Sequence, residues 1–182
     1  MTNQPVGETR DVSPRHAGQA FVDQVNQHKK ILYKVAYTYC SNLEDRRDLV
    51  QEMLTQLWQA FDSFDGRVQF STWMYRVAVN VAISSVRREV RRLRDGRDTV
   101  PLENIDIDFA AADQAFGTDS DNLRTLRKLI DQLDEFSRAL LMLYLDGNGT
   151  DEIADILGIS PSNVTTRINR LRQKLHAQFT SE

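Results

Sequence analysis

The segment Thr150-Asp-Glu-Ile-Ala-Asp-Ile-Leu-Gly-Ile-Ser-Pro-Ser-Asn-Val-Thr-Thr-Arg-Ile-Asn-Arg-Leu-Arg172 decides how this chain folds. It has the spacing of two short helices joined by a tight turn. Ala154 is small enough to let the second helix cross closely, and Gly158 can take the left-handed conformation that a turn after Leu157 requires. Ile159 plugs the turn, Ser160 caps the second helix, and Pro161 occupies its first position. Val164, Ile168, Leu171 and Leu175 then share an inward face. Ser162, Thr165, Thr166, Asn169 and Arg170 are left facing outward, with Arg167, Arg172 and Lys174 beside them. Short polar side chains near a helix start can reach base edges, and basic ones can reach phosphates, so the segment reads as a DNA-binding helix-turn-helix. The plain alternative is a helical hairpin with a solvated basic face.

Upstream of it, Gly147-Asn148-Gly149 is a strong stop, and Asp134 predicts the N-cap of a helix carrying Phe136, Ala139, Leu140 and Leu143. Helical periodicity resumes before that at Leu123, Leu126, Leu129, Ile130 and Leu133. Further back, Ser71 predicts the N-cap of a helix that buries Trp73, Val77, Ala78 and Val81 and runs on through Arg87, Arg88, Arg91, Arg92 and Arg94. Another amphipathic helix carries Leu49, Val50, Met53, Leu54, Leu57, Trp58 and Phe61, and Asp62-Ser63-Phe64-Asp65-Gly66 ends it with turn chemistry. A first helical stretch runs from about Gln19 to Tyr39, broken by Ser41-Asn42. No alternating pattern of useful strand length occurs. The expected fold is all-α: a flexible tail over 1–18, an N-terminal helical bundle over 19–97, a flexible acidic linker over 98–120 and a helix-turn-helix domain over 121–182.

Charge and composition narrow the function. The 182 residues carry a net charge of −3, which by itself argues against a polyanion binder. The charge is segregated, however. Asp98, Glu103, Asp106, Asp108, Asp113, Asp119 and Asp121 contribute −7 with no Lys or Arg between them, leaving +4 on the rest of the chain. Ser84 to Arg97 is locally +4 and Pro161 to Glu182 locally +3. These two basic patches, separated by an acidic tether, are what bear on nucleic acid. A single cysteine, Cys40, excludes an internal disulfide framework and a multi-thiolate zinc site, and reads as a buried thiol. His16, His28 and His176 lack ligand spacing, and no His accompanies Glu44, Asp45, Asp48 and Glu52 on their helix, so no metal site is expected. Met1 to Ala20 has no apolar core segment and no run is long enough to cross a bilayer, so neither secretion nor membrane insertion is expected. With no glycine-rich phosphate loop and no nucleophile pair, neither a cofactor nor an enzyme activity is expected.

From Asp45 to Arg88 a resemblance becomes specific. Asp48-Leu-Val-Gln-Glu52, then Trp58, then Phe70-Ser-Thr-Trp-Met-Tyr-Arg-Val-Ala-Val-Asn80, then Arg87-Arg88, resembles a bacterial RNA polymerase sigma factor. The layout of two domains, 19–97 like sigma region 2 and 121–182 like sigma region 4, is similar to the extracytoplasmic-function group. The resemblance implies a cytoplasmic protein that binds core RNA polymerase through its β′ and β subunits, directs it to promoter DNA and helps melt the duplex. It also implies an anti-sigma partner.

The site residues follow from it. Asp48, Gln51, Glu52 and Thr55 lie at three-to-four spacing and would share the polar face that docks on a β′ coiled coil, with Leu49 adding an apolar contact at its edge. The turn with Phe64, Asp65 and Gly66 would capture a flipped base of the −10 element, Phe64 offering a stacking face. Asn80 and Ser84 would meet the DNA there, while Arg76, Arg87 and Arg88 hold phosphates. Thr165, Thr166, Asn169 and Arg170 would face the major groove of the −35 element and Arg167 a phosphate, with Ser162 also among the residues that meet the DNA there. Two departures stand out: Thr165 replaces a residue that is often basic, and Arg47 stands where an acid is common in the docking helix. The second suggests weakened core affinity that a negative charge at Thr55, or a partner, would restore. The rival readings are a one-component helix-turn-helix regulator that binds duplex DNA without polymerase, and an adaptor that grips a protein partner.

Overall fold

The structure, a computed structural model, describes residues 14–95 and 130–180, with side chains placed over 18–88 and 130–177. The acidic linker and the leucines Leu123, Leu126 and Leu129 lie outside the described residues. Seven α-helices occur among those described: α1 (Pro14–His28), α2 (Lys30–Tyr39), α3 (Leu43–Ala60), α4 (Phe70–Asp95), α5 (Glu135–Leu145), α6 (Thr150–Leu157) and α7 (Pro161–Thr180). A 3₁₀ turn at Phe61–Ser63 follows α3.

Most boundaries follow local chemistry. Asn42 caps α3, its side-chain oxygen accepting from the Asp45 N–H at 2.8 Å. Asp134 caps α5 in the same way, accepting from the Ser137 N–H at 2.9 Å, and the Ser137 hydroxyl donates to its other oxygen. Gly147 ends the run after α5 at φ 85°, and Asn148 donates from both backbone and side chain to the Leu143 carbonyl. Three boundaries differ from the sequence expectation. Helix α1 begins at Pro14, so 14–18 belong to the fold rather than to a tail; Gly18 lies beside Trp58, where a Cβ would stand 3.8 Å from the indole, an ordinary contact. The first helical stretch is two helices, because at Lys29 the carbonyl accepts from Leu32, three residues on, and tightens the chain. Helix α4 starts at Phe70, so Ser71 lies within its first turn, and the Gln69 carbonyl accepts from Trp73.

Helices α2, α3 and α4 pack on one another around Leu32, Val35, Ala36, Val50, Met53, Leu57, Met74 and Val79, all buried. An aromatic tier closes one end: Phe21 meets Trp58 and Phe61 edge-on at 5.1 and 5.2 Å, and Phe70 stacks tilted on Trp73 at 5.3 Å. Helices α5, α6 and α7 enclose Leu140, Leu143, Ile153, Ile156, Val164 and Leu171. The two units are not separate bodies. Helix α2 packs on α5 and α4 on α6, so their apolar residues form one continuous core. This explains why α4 buries Met74, Val79 and Ala82 as well as Trp73 and Ala78, while Val77 and Val81 are only partly buried. A helix covered from two sides carries a wider apolar stripe than a surface helix.

Candidate nucleic-acid interface

The turn before the last helix is built as its sequence demands. Gly158 sits at φ 66°, ψ 36°, and its N–H and that of Ile159 both reach the Ala154 carbonyl. No atom lies within 4 Å of where a Cβ would stand, so glycine is required by backbone conformation alone. Ser160 accepts from the Asn163 N–H at 3.3 Å and opens α7. Val164 and Leu171 anchor the helix inward. Ser162, Thr165, Thr166, Arg167, Asn169 and Arg170 are all exposed along one side of it. Thr165 and Thr166 donate back to the Pro161 and Ser162 carbonyls, which fixes their rotamers and leaves hydroxyl lone pairs and methyls outward. Arg167 is drawn toward the helix start by Asn163 Oδ1 at 2.9 Å and lies over the Phe136 ring.

A second polar stripe runs along α4. Arg76, Asn80, Ser84 and Arg87 recur at four, four and three residues, hence on one face. Asn80 and Ser84 are exposed. Before the helix, Asp65 accepts from the Arg67 N–H at 3.1 Å and pairs with its guanidinium, and Gly66 takes φ 72° in an exposed turn. Phe64 departs from expectation. Its ring is partly buried against Phe70 at 5.5 Å and Trp73 at 5.2 Å, so it holds the loop onto the aromatic tier and does not stand free as a stacking face. Trp73 is core, as expected, and Tyr75 is buried too.

On α3, Asp48 and Thr55 are exposed and Gln51 and Glu52 half-buried, forming the polar face that the spacing predicts. Thr55 donates to the Gln51 carbonyl, and Glu52 accepts from Arg88 of α4 at 2.5 Å, tying this face of α3 to the arginine-rich end of α4. Leu49 corrects the expectation of an apolar edge contact: it is 4% exposed and packs inside the bundle. Arg46 was not anticipated as more than part of a charged run. It is buried, donates to the Cys40 and Ser41 carbonyls at 3.1 and 3.0 Å, and lies 3.7 Å over the Tyr37 ring. It therefore satisfies carbonyls left open where α2 ends, and Arg47 alone is the exposed cation there. Cys40 is half-buried. Among the described residues, no group of His, Cys, Asp and Glu could hold a metal ion, and no helix is long and apolar enough to cross a membrane.

These features define an all-helical, helix-turn-helix protein with further polar faces on α3 and α4. The Sigma-70 region 2 family matches residues 24–92, and the Sigma-70, region 4 family matches residues 123–175. The chain is 29% identical over 166 residues to the ECF RNA polymerase sigma factor SigW of Bacillus subtilis, covering 88% of this chain and 89% of that one. It is 33% identical over 137 residues to the ECF RNA polymerase sigma-E factor of Salmonella typhimurium, covering 72% of each. A solved structure of the sigma factor RpoE, in complex with the anti-sigma factor NepR from Bartonella quintana, shares the fold at a TM-score of 0.67. It is 21% identical and covers 89% of this chain and 98% of that one. The chain belongs to the extracytoplasmic-function (ECF) RNA polymerase sigma factors, which direct RNA polymerase to promoters.

Proposed function

We propose that Asp48, Gln51, Glu52 and Thr55 dock on the β′ subunit of core polymerase, and that residues 19–97 and 121–182 read the −10 and −35 elements respectively. The observation that carries this is the last helix: six polar or basic side chains exposed along one side, on a turn fixed by Gly158. Thr165, Thr166, Asn169 and Arg170 read base edges; Ser162 and Arg167 hold the backbone. Asn80 and Ser84 contact the opened −10 strand, with Arg76, Arg87 and Arg88 on its phosphates. The turn Phe64-Asp65-Gly66 receives the flipped base through its backbone groups and the Asp65 carboxylate, Phe64 bracing it from beneath. Unstacking costs a few kcal/mol per base, which capture of the base offsets.

The factor supplies recognition and the polymerase supplies the chemistry, so it needs no catalytic group or cofactor and acts where the polymerase is, in the cytoplasm. The anti-sigma complex of the Bartonella quintana relative supports an anti-sigma partner here as well. The one-component and adaptor readings lack an account of the α3 face and the α4 stripe occurring together.

Binding of fluorescent full-length chain to core polymerase tests the docking face. Asp48→Lys reverses a charge on that face and should weaken binding at least about tenfold, or about 1.4 kcal/mol. Unchanged affinity would move the docking face elsewhere.

A further inference from the structure

Asn163 lies in the first turn of α7, and its N–H donates to the Ser160 hydroxyl oxygen at 3.3 Å. A Glu or Gln at that position of a helix commonly turns its side chain back to the N–H of the capping residue. Asn163 turns its side chain forward instead: Oδ1 accepts from Arg167 Nε at 2.9 Å, one turn further on. A different helix reaches the same group. Phe136, in the first turn of α5, is half-buried and places its ring centroid 4.9 Å from the Arg167 guanidinium carbon.

Two restraints of different kinds therefore meet one guanidinium. The hydrogen bond fixes its Nε edge, and the ring covers one of its faces. A surface pair four residues apart on one helix counts for little alone. The ring from α5 is the independent second restraint. An exposed arginine otherwise samples many rotamers and gives up that freedom when it binds. Arg167 is exposed, yet it is held from two helices. The hydrogen bond engages Nε alone, so both terminal nitrogens keep their donors for a phosphate.

We infer that Asn163 and Phe136 are positioning residues of the −35 reader. They hold Arg167 in its phosphate-binding rotamer before DNA arrives, and they act through Arg167 rather than on DNA. The inference rests on the −35 assignment of α7. Lysine at this position could not be held in the same way, because a single ammonium cannot meet Asn163 and a phosphate through separate atoms. Removing either support leaves the phosphate contact possible but weaker by about threefold, within the range for ordering one long side chain on binding.

The test uses holoenzyme made from core polymerase and full-length chain. The probe is a fluorescein-labelled promoter duplex identified by run-off transcription, titrated between about 50 and 200 mM salt. Arg167→Ala should weaken binding and reduce the slope of log affinity against log salt by about one, the signature of a lost phosphate contact. Asn163→Ala, Phe136→Leu and Arg167→Lys should each weaken binding about threefold with the slope unchanged. Added to Arg167→Ala, neither Asn163→Ala nor Phe136→Leu should cost anything more. Any loss of stability from Phe136→Leu is common to both backgrounds and cancels in that comparison. Asn163→Ala or Phe136→Leu binding as tightly as the parent, or costing as much with Arg167→Ala as without it, would overturn the inference. The functional reading then still stands, because Arg167→Ala alone reports on it. If Arg167→Ala binds as the parent does, the phosphate assignment fails and the inference falls with it.

Discussion

Leu49→Ala separates packing from docking on a single helix. Leu49 sits one residue from exposed Asp48 but is 4% exposed within the bundle. Truncation removes three carbons from that interior. At about 0.8 kcal/mol per methylene, the transfer loss is about 2.4 kcal/mol. The cavity adds to it, because α2, α3 and α4 meet there and cannot fully collapse, giving about 3–4 kcal/mol in all. Urea unfolding followed by far-ultraviolet circular dichroism should show the midpoint falling with little change in slope. The folded fraction should still bind core polymerase as the parent does, since no exposed atom is lost. Thr55→Arg is the mirror image: exposed, it should leave stability within about 0.5 kcal/mol while weakening core binding. If Leu49→Ala leaves the urea midpoint unchanged but abolishes core binding, the side chain is an interface residue and the burial argument is wrong.

Gly158→Ala places a Cβ in open space but in the left-handed region, so it should cost about 1–2 kcal/mol in urea unfolding. Arg46→Ala leaves two carbonyls and the Tyr37 face without their cation and should cost about 2–3 kcal/mol; Arg46→Lys should recover little, because it lacks the planar fork. Glu135 titrates below the usual carboxylate range, chiefly because of the Arg87 hydrogen bond; Asp134 is also lowered, with burial opposing but outweighed by the Ser137 hydroxyl and backbone N–H groups. Their stabilisation is complete above the unfolded values of about 4 and lost as pH falls through the lower folded ones, so urea midpoints should drop below about pH 4, less steeply for Glu135→Gln. Burial, reinforced by the Asp146 carboxylate, holds the Tyr75 phenol above its ordinary value. The folded form should thus keep this contribution in full below about pH 10 and lose it progressively above, seen as a phenolate absorbance step that Asp146→Ala moves to lower pH.

Local chemistry was legible and long-range contact was not. Asp134, Gly158, Ser160 and Pro161 act through their immediate neighbours, so their sequence positions sufficed for the α5 cap and the helix-turn-helix. The exposed residues of α7 followed from its period. Leu49 was misplaced because a helix stripe has edges that spacing alone cannot assign, and Phe64 because a turn residue gives no hint of a ring seated on Phe70 and Trp73. Arg46 looked like one cation in a charged run; its partners are carbonyls that carry no sequence signal. The junction of the two units was hidden for the same reason. Asp146 and Tyr75 are 71 positions apart, and only the extra apolar residues Met74, Val79 and Ala82 on α4 hinted that its second side is covered.

Run-off transcription with purified core polymerase on a library of genomic fragments tests the central claim most directly. Adding the full-length chain should produce discrete transcripts whose start sites share two short upstream elements, and Asn169→Ala with Arg170→Ala should reduce them through the element near −35. Tight binding of the chain alone to paired duplex half-sites, with no factor-dependent transcript from any fragment, would contradict it.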